Sequence, residues 1–392
     1  MLGWLKKLDP IHRATTREER EAVYRFRYTV YWEELGRRCP GTDHVRRWIK
    51  NEEDESDHTT ILYAGNLNEI KGTILLRHWD RGQIPTADME ELSLERFPDI
   101  AQRKAAELGR LMIRPHHRNR WLLLSFMKAG CDLLVGEMGT ELIFLYCNSG
   151  LMAHYRRFGF RTYGAKILNT TDGIMVPMVG IPSDTAYLRR LRTPAWAYFR
   201  RYYSSGKLPR IDTAPYQAIL GEAGGVEFDT ESIWNELEEK FMGDDEMPSF
   251  INSLPWEAIK RLLTEGFLLN VPAGTMVTPK GLVEREMYVV VEGLFEVQDD
   301  GRRLRLLHMG DLFGEVAFFS NNGQRSASVC AVKDSRILVI RARSLDRLIE
   351  SDPKVAVKVV MSIAGIMATR VAKGEKIRLS KFENHVGETA IL

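Results

Sequence analysis

Apolar residues change between helical and strand-like spacing along the first 183 residues. In segment 17–35, Val23, Phe26 and Tyr31 lie at helical spacing opposite charged residues. Strand-like runs are predicted at 60–64, 71–78, 106–113, 142–147, 160–163 and 174–179, and helices at 121–135 and 151–158. Strands interleaved with helices predict a mixed α/β domain over residues 1–183.

The pattern changes from about residue 245 onward. A short amphipathic helical segment is predicted over 250–267, and many short strands follow, separated by turn signals such as Pro272-Ala273-Gly274. Two closing helices are predicted over 345–350 and 354–371. This order predicts a β-roll with flanking helices over 245–392, so the whole chain is assigned to the α+β class.

The stretch 184–244 is predicted to connect these two domains. Its first part, 187–203, is basic and aromatic, with Pro194 interrupting any long helix, and its last part, 222–246, is acidic with helical spacing. Three interpretations of the basic part remain open: a connector packed between the domains, a docking patch for an acidic partner such as acyl carrier protein, or attachment to an anionic membrane surface.

Composition sets broad limits on function. The apolar and charged fractions, 44% and 28%, are ordinary for a soluble protein, and a net charge of +2 gives no general argument for nucleic acid. Four scattered cysteines without metal-ligand spacing favour a reduced cytoplasmic protein without a metal. The first residues lack a signal-peptide core, and we expect no segment long enough to span a bilayer. Contact with the inner face of the membrane is the alternative location.

The clearest candidate site lies in the stretch 310–329, GDLFGEVAFFSNNGQRSASV. Backbone N–H groups near its glycines are suited to converge on an anion, and the guanidinium of Arg325 suits a phosphate. Glu315 offers carboxylate acceptors for a ribose hydroxyl. A β-hairpin with a surface Glu–Arg pair is the simpler alternative, but phosphate and sugar contacts together predict a nucleotide.

The same stretch resembles the phosphate-binding cassette of cyclic-nucleotide-binding domains. The resemblance implies that Glu315 holds the ribose 2′-hydroxyl and that Arg325 holds the cyclic phosphate, within a site formed by Gly314, Glu315, Val316, Ala317, Arg325 and Ser326. Serine after the phosphate arginine favours cyclic AMP over cyclic GMP. The implied lid helix over 354–371 is apolar, which fits packing on the roll or against a second copy of the chain, as in a homodimer.

Two strings in the first domain resemble the GNAT acyltransferase fold. Residues 148–160, NSGLMAHYRRFGF, resemble its late signature, and the strand 107–113 with the following HHRNR resembles its donor-binding strand and loop. GNAT enzymes that use coenzyme A usually carry glycines in this loop, so that backbone amides approach the pyrophosphate. Residues 116–123 contain none. The resemblance therefore favours acyl carrier protein as donor, with acyl-coenzyme A as the alternative.

Further pairs resemble those of acyl-homoserine-lactone synthases and N-acyl amino acid synthases. The matching pairs are Arg27 and Tyr31, Asp54 and Asp57, Gly72 and Arg77, and Glu107 and Arg110, in the same order. Arg37 stands near the position where lactone synthases carry an aromatic residue, which favours an amino acid or another small amine as acceptor. The resemblance implies substrate binding by Arg27, Tyr31, Asp54, Asp57 and Arg77, and catalysis by Glu107, Arg110 and Tyr155.

Acyl transfer from a thioester to an amine needs three groups. Glu107, where a splayed strand would expose side chains, is the candidate base for the amine, and Tyr155 is the candidate acid for the thiolate. A backbone N–H on the 107–112 strand is the candidate donor to the oxyanion. The structural alternatives are ion pairs for Glu107 and Arg110, a core position for Tyr155, and a solvated acidic loop for Asp54 and Asp57.

The leading hypothesis is a cytoplasmic N-acyltransferase regulated by cyclic AMP. It would move a fatty acyl group from acyl carrier protein, or acyl-coenzyme A, to the amine of an amino acid or similar small acceptor. The alternatives are a cyclic-AMP-gated protein lysine acetyltransferase using acetyl-coenzyme A, and a non-catalytic module whose binding depends on the nucleotide. No nucleic-acid partner and no metal are expected.

Overall fold

The computed structural model describes residues 8–372, except 38, 119, 149–150, 164–167, 171–172, 205, 207, 221–225, 228–249 and 251–252. The chain forms two compact units, residues 1–227 and 228–392. Strands and helices are mixed in the first unit, and a β-roll with helices forms the second, which confirms the predicted α+β class. The acidic helix predicted over 222–246 lies almost entirely outside the described residues.

One sheet runs through the first unit in the order β1-β4-β5-β6-β7-β10-β8, with β9 paired to β10. Its strands are β1 (Ile11–Arg13), β4 (Thr59–Asn66), β5 (Glu69–Trp79), β6 (Ala105–Ile113), β7 (Leu142–Asn148), β8 (Phe160–Thr162), β9 (Leu168–Thr170) and β10 (Gly173–Gly180). A small hairpin, β2 (Thr42–Asp43) and β3 (Trp48–Ile49), stands apart from it. The helices are α1 (Arg17–Tyr28), α2 (Thr86–Glu91), α3 (Arg120–Cys131), α4 (Met152–Arg157), α5 (Thr185–Arg190) and α6 (Pro194–Tyr203).

Strands β6 and β7 are parallel neighbours that separate partway along their length. Their register runs only from Ala105 opposite Leu142 to Leu108 opposite Leu145. Beyond that point β7 stays paired with β10, and β6 stays paired with β5. A bulge on β6 follows at once, where Arg110 has φ +51° and two residues face one on β5. The expected splay at this strand is therefore confirmed, and it leaves a gap at the carboxyl ends of both strands.

Helix α1 begins with a capping box. Thr16 accepts a hydrogen bond from the backbone N–H of Glu19, whose carboxylate in turn accepts from the backbone N–H of Thr16 at 2.8 Å. The same carboxylate accepts from the N–H of Thr15 at 2.8 Å and from the hydroxyl of Tyr63 on β4 at 2.9 Å. The backbone donors lower the pKa of Glu19 to about 2, chiefly through the N–H of Thr16.

Replacing Glu19 with glutamine is therefore expected to lower the free energy of unfolding by about 1 kcal/mol at neutral pH. A carboxylate whose pKa is lower in the folded state stabilises that state above its unfolded pKa. The difference between wild type and variant should shrink as the pH falls from 4.5 through about 2. Urea denaturation at several pH values measures it, with exposed Glu18→Gln as the control. An equal and pH-independent loss in both variants would contradict the assignment.

An aromatic core covers one face of this sheet and includes residues beyond the predicted domain end. Phe97 packs edge-on against Phe144, Tyr163 and Tyr216, with ring centroids 5.1 to 5.3 Å apart. The hydroxyl of Tyr216 also donates to Asp99 at 2.5 Å. Part of the predicted connector is thus built into the first unit, while the domain limits at 183 and 245 stay predictions. Pro194 does interrupt the helical stretch, because it is the first residue of α6 and follows the N-cap residue Thr193.

The second unit folds as two sheets with a helical cover. The two-residue strand β11 (Val226–Glu227) ends the first unit. In the second unit, one sheet contains β12 (Phe267–Val271), β19 (Ser335–Arg341), β14 (Glu286–Glu292) and β17 (Leu312–Phe313), and the other contains β13 (Met276–Thr278), β18 (Ser328–Ala331), β15 (Phe295–Asp299) and β16 (Arg302–Leu307). The helices are α7 (Trp256–Glu265), α8 (Glu315–Phe319), α9 (Ala342–Ser351) and α10 (Pro353–Ala372). Helices α7, α9 and α10 bury apolar residues in one core with the strands.

Helix α10 corrects one expectation from the sequence. Within the described part of the chain it alone is long and apolar enough, by length and composition, to cross a membrane. Its Ala356, Val359 and Ile363 are buried in the core of the second unit. Val357 and Met361 on another side of the helix are exposed. The helix has the burial pattern of a cover on a folded domain, whereas the sequence had suggested no segment of this length and hydropathy.

Candidate functional site

Three predicted residues of the first unit meet in one buried ion network. Arg27 on α1 is fully buried, and its Nη1 donates to both carboxylate oxygens of Asp54 at 2.7 and 2.8 Å. Arg110, turned by the bulge in β6, donates to Asp54 at 3.1 Å and to Glu53 at 3.1 Å. Asp54 is therefore the anchor between two arginines and not part of a solvated loop. Asp57, its predicted companion, is exposed at the surface.

Arg27 has more donors than this network uses. Its Nε and Nη2 are buried and find no hydrogen-bond partner among the described residues. Burial lowers the pKa of this guanidinium, although the neighbouring Asp54 opposes the shift. Buried donors without acceptors are costly, so an arginine of this kind is suited to receive an anionic ligand.

Glu107 pairs with Arg77 and not with Arg110. The two residues are directly opposite in the β5–β6 register, and Nε of Arg77 donates to Glu107 at 2.6 Å. Nη1 of Arg77 donates at 2.6 Å to Asp88, a buried residue of α2 that the sequence did not single out. Burial raises the pKa of Glu107, and Arg77 offsets only part of the effect. A carboxylate with a raised pKa beside the strand gap is suited to accept a proton.

Tyr155 lies on α4, which follows the end of β7. Its ring packs edge-on against Phe160, with centroids 5.8 Å apart. Burial raises its pKa well above the usual range, and the neighbouring Cys147 and Tyr31 add to the shift. The phenol is therefore neutral, able to donate a hydrogen bond, and a weaker acid than an exposed tyrosine. Its role as the catalytic acid stays a prediction.

Tyr31 and Arg37 extend the site toward the end of β7. Tyr31 lies in a turn of π-helix, Thr29–Glu34, and the guanidinium of Arg37 stands 5.3 Å from the centre of its ring. Arg37 also donates to the side chain of Asn148, the last residue of β7, at 3.2 Å. A positive charge thus bridges two segments at the open end of the strands. The sequence marked Arg37 as a departure from the lactone synthases but gave it no role.

An apolar pocket, partly open to solvent, lies on one side of the sheet in the first unit. The strands contribute Ile74, Leu108 and Ile143 to its wall, and α3 contributes Leu124, Met127 and Gly130. Leu108 is the last residue of β6 that pairs with β7, so one wall of the pocket lies next to the point where the strands separate. The apolar lining suits an apolar small molecule or an acyl chain. No pattern in the sequence marks this pocket.

The predicted cassette in the second unit depends on one glycine. Gly314 has φ +83° and precedes α8, and a Cβ there would lie 2.6 Å from Nη1 of Arg325 and 3.0 Å from the carbonyl oxygen of Glu286. Only glycine fits this conformation and this close approach. Glu315 and Ala317 are buried, while Val316 and Ser326 are half-buried.

Carbonyl and carboxylate groups hold the side chain of Arg325 in place. It is 3% exposed, and its Nη1 donates to the carbonyl oxygens of Glu286 at 2.7 Å and Gly314 at 3.1 Å. Nη2 lies 3.4 Å from a carboxylate oxygen of Glu284. Its Nε is buried and finds no hydrogen-bond partner among the described residues. The guanidinium is thus fixed in place with a donor left over, as an oxyanion site requires.

Arg370 is a functional candidate that sequence reasoning missed. It lies in the last turn of α10, forms an ion pair with Glu315 and donates to the carbonyl oxygen of Leu312 at 2.6 Å. Both partners of the pair are buried. The closing helix is therefore fastened directly to the carboxylate predicted to hold the ribose. No local motif marks a contact between residues 55 positions apart.

Replacing Arg370 with alanine should destabilise the second unit. Removing one partner of a buried ion pair leaves Glu315 uncompensated, which we expect to cost about 3 kcal/mol. Hydrogen exchange of peptides from α8 and α10 in the whole chain measures the local loss. Lys358→Ala, an exposed change on the same helix, is the control. Equal exchange in the two variants would show that the pair does not hold the helix.

Within the described ranges, no group of three or more His, Cys, Asp or Glu side chains is placed to hold a metal ion.

Two parts of the chain match family models. Residues 22–182 match the family model described as N-acyl amino acid synthase FeeM, and residues 268–352 match the cyclic nucleotide-binding domain. The first match contains the ion networks of Arg27 and Glu107 and much of the apolar pocket. The second contains the cassette around Arg325.

Similarity to individual proteins is more limited. The chain is 26% identical over 153 residues to the Pycsar effector protein XpPycTIR of Xanthomonas perforans, covering 36% of this chain and 50% of that protein. It is 35% identical over 100 residues to a putative potassium channel protein of Rhodopseudomonas palustris, covering 24% of each. A solved structure, the catabolite activator protein of Thermus thermophilus, is 27% identical over 32% of this chain and 59% of that chain, with a TM-score of 0.29. The chain thus spans half or less of the length of these curated relatives.

Proposed function

We propose that this chain, which joins an N-acyl amino acid synthase domain to a cyclic nucleotide-binding domain, is an N-acyltransferase regulated by cyclic AMP. It moves a fatty acyl group from acyl carrier protein, or acyl-coenzyme A, to the amine of an amino acid or similar small acceptor. One observation carries the proposal. A carboxyl group with a raised pKa, Glu107, is held by Arg77 where β6 and β7 separate, and the next residue, Leu108, lines an apolar pocket on the other face of the sheet.

The reaction forms an amide bond and breaks a thioester bond. The amine attacks the thioester carbonyl, and Glu107 takes the amine proton directly or through one water. The oxyanion accepts a hydrogen bond from a backbone N–H of β6 that faces the gap beyond Leu108, where β6 no longer pairs with β7. The C–S bond then breaks, and the thiolate leaves as a thiol, with Tyr155 as the proton donor and the proton that Glu107 took from the amine restoring the phenol.

An acceptor with a carboxylate fits the charges of the site. Arg27 offers two buried N–H groups that no described residue accepts, and its partner Asp54 holds the guanidinium in place. Arg37 adds a second positive charge at the end of β7. A free amino acid carries both the amine that reacts and a carboxylate that these arginines can bind. This supports an amino acid over a neutral amine.

The choice of donor follows from the loop between β6 and α3. Residues 116–123, which run from this loop into the first turn of α3, lack the glycines that let backbone amides approach a pyrophosphate. Acyl carrier protein presents a single phosphodiester instead, so its acyl group makes less demand on this loop. A cytoplasmic location follows from that donor.

Regulation requires that cyclic AMP bind one arrangement of the protein more tightly than another. Glu315 and Arg325 form the proposed nucleotide site, and Arg370 ties α10 to the same carboxylate. A nucleotide hydroxyl that binds Glu315 must share or displace Arg370. The nucleotide and the position of α10 are therefore energetically linked, which is the switch we propose.

Transfer of an acetyl group to protein lysines fits the structure less well. An acetyl group has only one methyl group to place against the apolar lining, and a lysine acceptor would bring no carboxylate to Arg27. A non-catalytic binding module would need the pair of Glu107 and Arg77 only as a structural contact, and would leave the unsatisfied donors of Arg27 without a role.

Product analysis separates these possibilities. The chain is incubated with long-chain acyl carrier protein or acyl-coenzyme A and a pool of amino acids, with and without cyclic AMP, and products are identified by mass spectrometry. We expect N-acyl amino acids whose yield changes with cyclic AMP. Acetyl-lysine on proteins without acylated amino acids would favour the acetyltransferase, and no acylated product with any donor would favour the binding module.

A further inference from the structure

The far end of the apolar pocket is closed by residues outside the matched acyltransferase region. The family match ends at residue 182, whereas α5 and α6 cover residues 185–203. Leu188 of α5 and Ala195, Tyr198 and Phe199 of α6 line the pocket. We propose that α5 and α6 form the end wall of the acyl site and set the length of the acyl chain it accepts. This inference depends on the proposed assignment of the pocket to an acyl chain.

The strand register gives the pocket a direction. Leu108, opposite Leu145, marks the end at which β6 and β7 separate and the thioester must lie. Gly180, also in the wall, is opposite Ile143 near the start of β7, and the chain continues from there into α5. The acyl chain entering at the gap therefore runs toward α5 and α6, so these helices meet its methyl end.

Polar contacts fasten α6 to the end of α3. Asp132, in the π-helical turn Asp132–Glu137 that follows α3, accepts from the hydroxyl of Tyr202 at 2.6 Å and from Arg201 at 2.5 Å. Tyr198, which also lines the pocket, donates to the same carboxylate oxygen. Lys128 of α3 holds the other oxygen at 2.7 Å. These contacts stand at the rim of an otherwise apolar cavity and fix the position of the wall.

Helix α5 is also closely packed against its neighbours. A Cβ on Gly159, whose φ is +93°, would lie 2.1 Å from Cδ2 of Leu188, so the helix rests directly on the glycine. On the opposite wall, a Cβ on Gly130 would meet nothing within 4 Å. The wall of α5 and α6 is thus closely packed, while the space in front of it is open. A fixed wall at the end of an open space limits the length of the acyl chain that fits.

The test fills the space in front of the wall. Ala195→Phe adds a ring at the pocket end of α6, and Ala197→Phe adds the same ring at an exposed position of the same helix. Gly130→Leu fills the space from α3. Rates with a graded series of acyl donors are measured for the whole chain. Each methylene that no longer fits should lower kcat/KM about fourfold, so Ala195→Phe and Gly130→Leu should prefer shorter chains.

Two results from the rate measurements would overturn the inference. One is an unchanged chain-length profile in both filled variants, and the other is the same shift in Ala197→Phe as in Ala195→Phe. Displacement of cis-parinaric acid by fatty acids of graded length measures the pocket without catalysis. We expect shorter fatty acids to compete best in the filled variants. Failure of wild type to bind the probe, or identical competition in all variants, overturns the inference even where acyl transfer is observed. Acyl-chain binding without any transfer would contradict the proposed function alone.

Discussion

Replacing Glu107 with glutamine is expected to lower the rate of acyl transfer by about 10²–10⁴-fold, the usual contribution of a general base. Glutamine keeps the shape of the side chain but cannot take the amine proton. Arg77 retains its hydrogen bond to Asp88, so the variant should stay folded. Affinity for cyclic AMP should not change, because the nucleotide site is formed by other residues. Single-turnover rates and isothermal titration measure the two effects.

The pH dependence of the same rate gives a second result for this residue. Burial raises the pKa of Glu107, so its carboxylate is protonated, and inactive as a base, at a pH above the ordinary range of a glutamate. Wild-type activity should therefore fall as the pH drops through that raised pKa. The activity of the glutamine variant should not show this fall over the same pH range. Exposed Glu52→Gln is the matched control, and an equal loss in both variants would rule out Glu107 as the base.

Replacing Arg325 with alanine is expected to weaken cyclic AMP binding at least about 100-fold. A charge-assisted hydrogen bond to a phosphate contributes about 1.5–3 kcal/mol, and the alanine variant also loses the attraction between the guanidinium charge and the phosphate. Arg325→Lys should give an intermediate loss, because lysine keeps the charge but not the planar fork. Titration calorimetry measures both variants. Arg303→Ala, which breaks an exposed ion pair with Glu296, is the control.

Full-affinity binding of cyclic AMP to the Arg325→Ala variant would place the nucleotide elsewhere on the chain. A comparable loss in Arg303→Ala would instead show a general effect of charge on the second unit.

The residues of the proposed nucleotide site could be predicted from the sequence because they lie in one short stretch of the chain. Glu315 and Arg325 stand ten residues apart, and Gly314 marks the turn between strand and helix that brings the cassette together. In the structure its conformation and its approach to Arg325 require glycine. In a local motif of this kind, a single turn is enough to bring the residues together. The choice of cyclic AMP rests on Ser326 and stays a prediction.

For the proposed acyltransferase site, the sequence indicated which residues take part but not which of them contact one another. The sequence named Arg27, Asp54 and Arg110, but not that Asp54 lies between the two arginines. Spacing could not tell Asp54, which is buried, from Asp57, which is exposed. It also did not pair Glu107 with Arg77, because that contact follows from strand register. These contacts join segments 27 to 56 residues apart.

Several features had no signal in the sequence. Asp88 and Arg370 reach the two sites from helices whose own patterns reveal nothing of their partners. The apolar pocket appears only when α3, α5 and α6 are packed on the sheet. The basic and aromatic segment 187–203 looked like a connector because its arginines are conspicuous, whereas its apolar residues line the pocket. Such features depend on tertiary packing, which composition and periodicity do not encode.

Regulation by cyclic AMP is tested most directly by comparing acyl transfer with and without the nucleotide in wild type and in the Arg325→Ala variant. We expect the nucleotide to change the wild-type rate and to have no effect on the variant at the same concentration. A wild-type rate that does not respond to saturating cyclic AMP, or a variant that has lost nucleotide binding but keeps the full response, would contradict the proposed regulation.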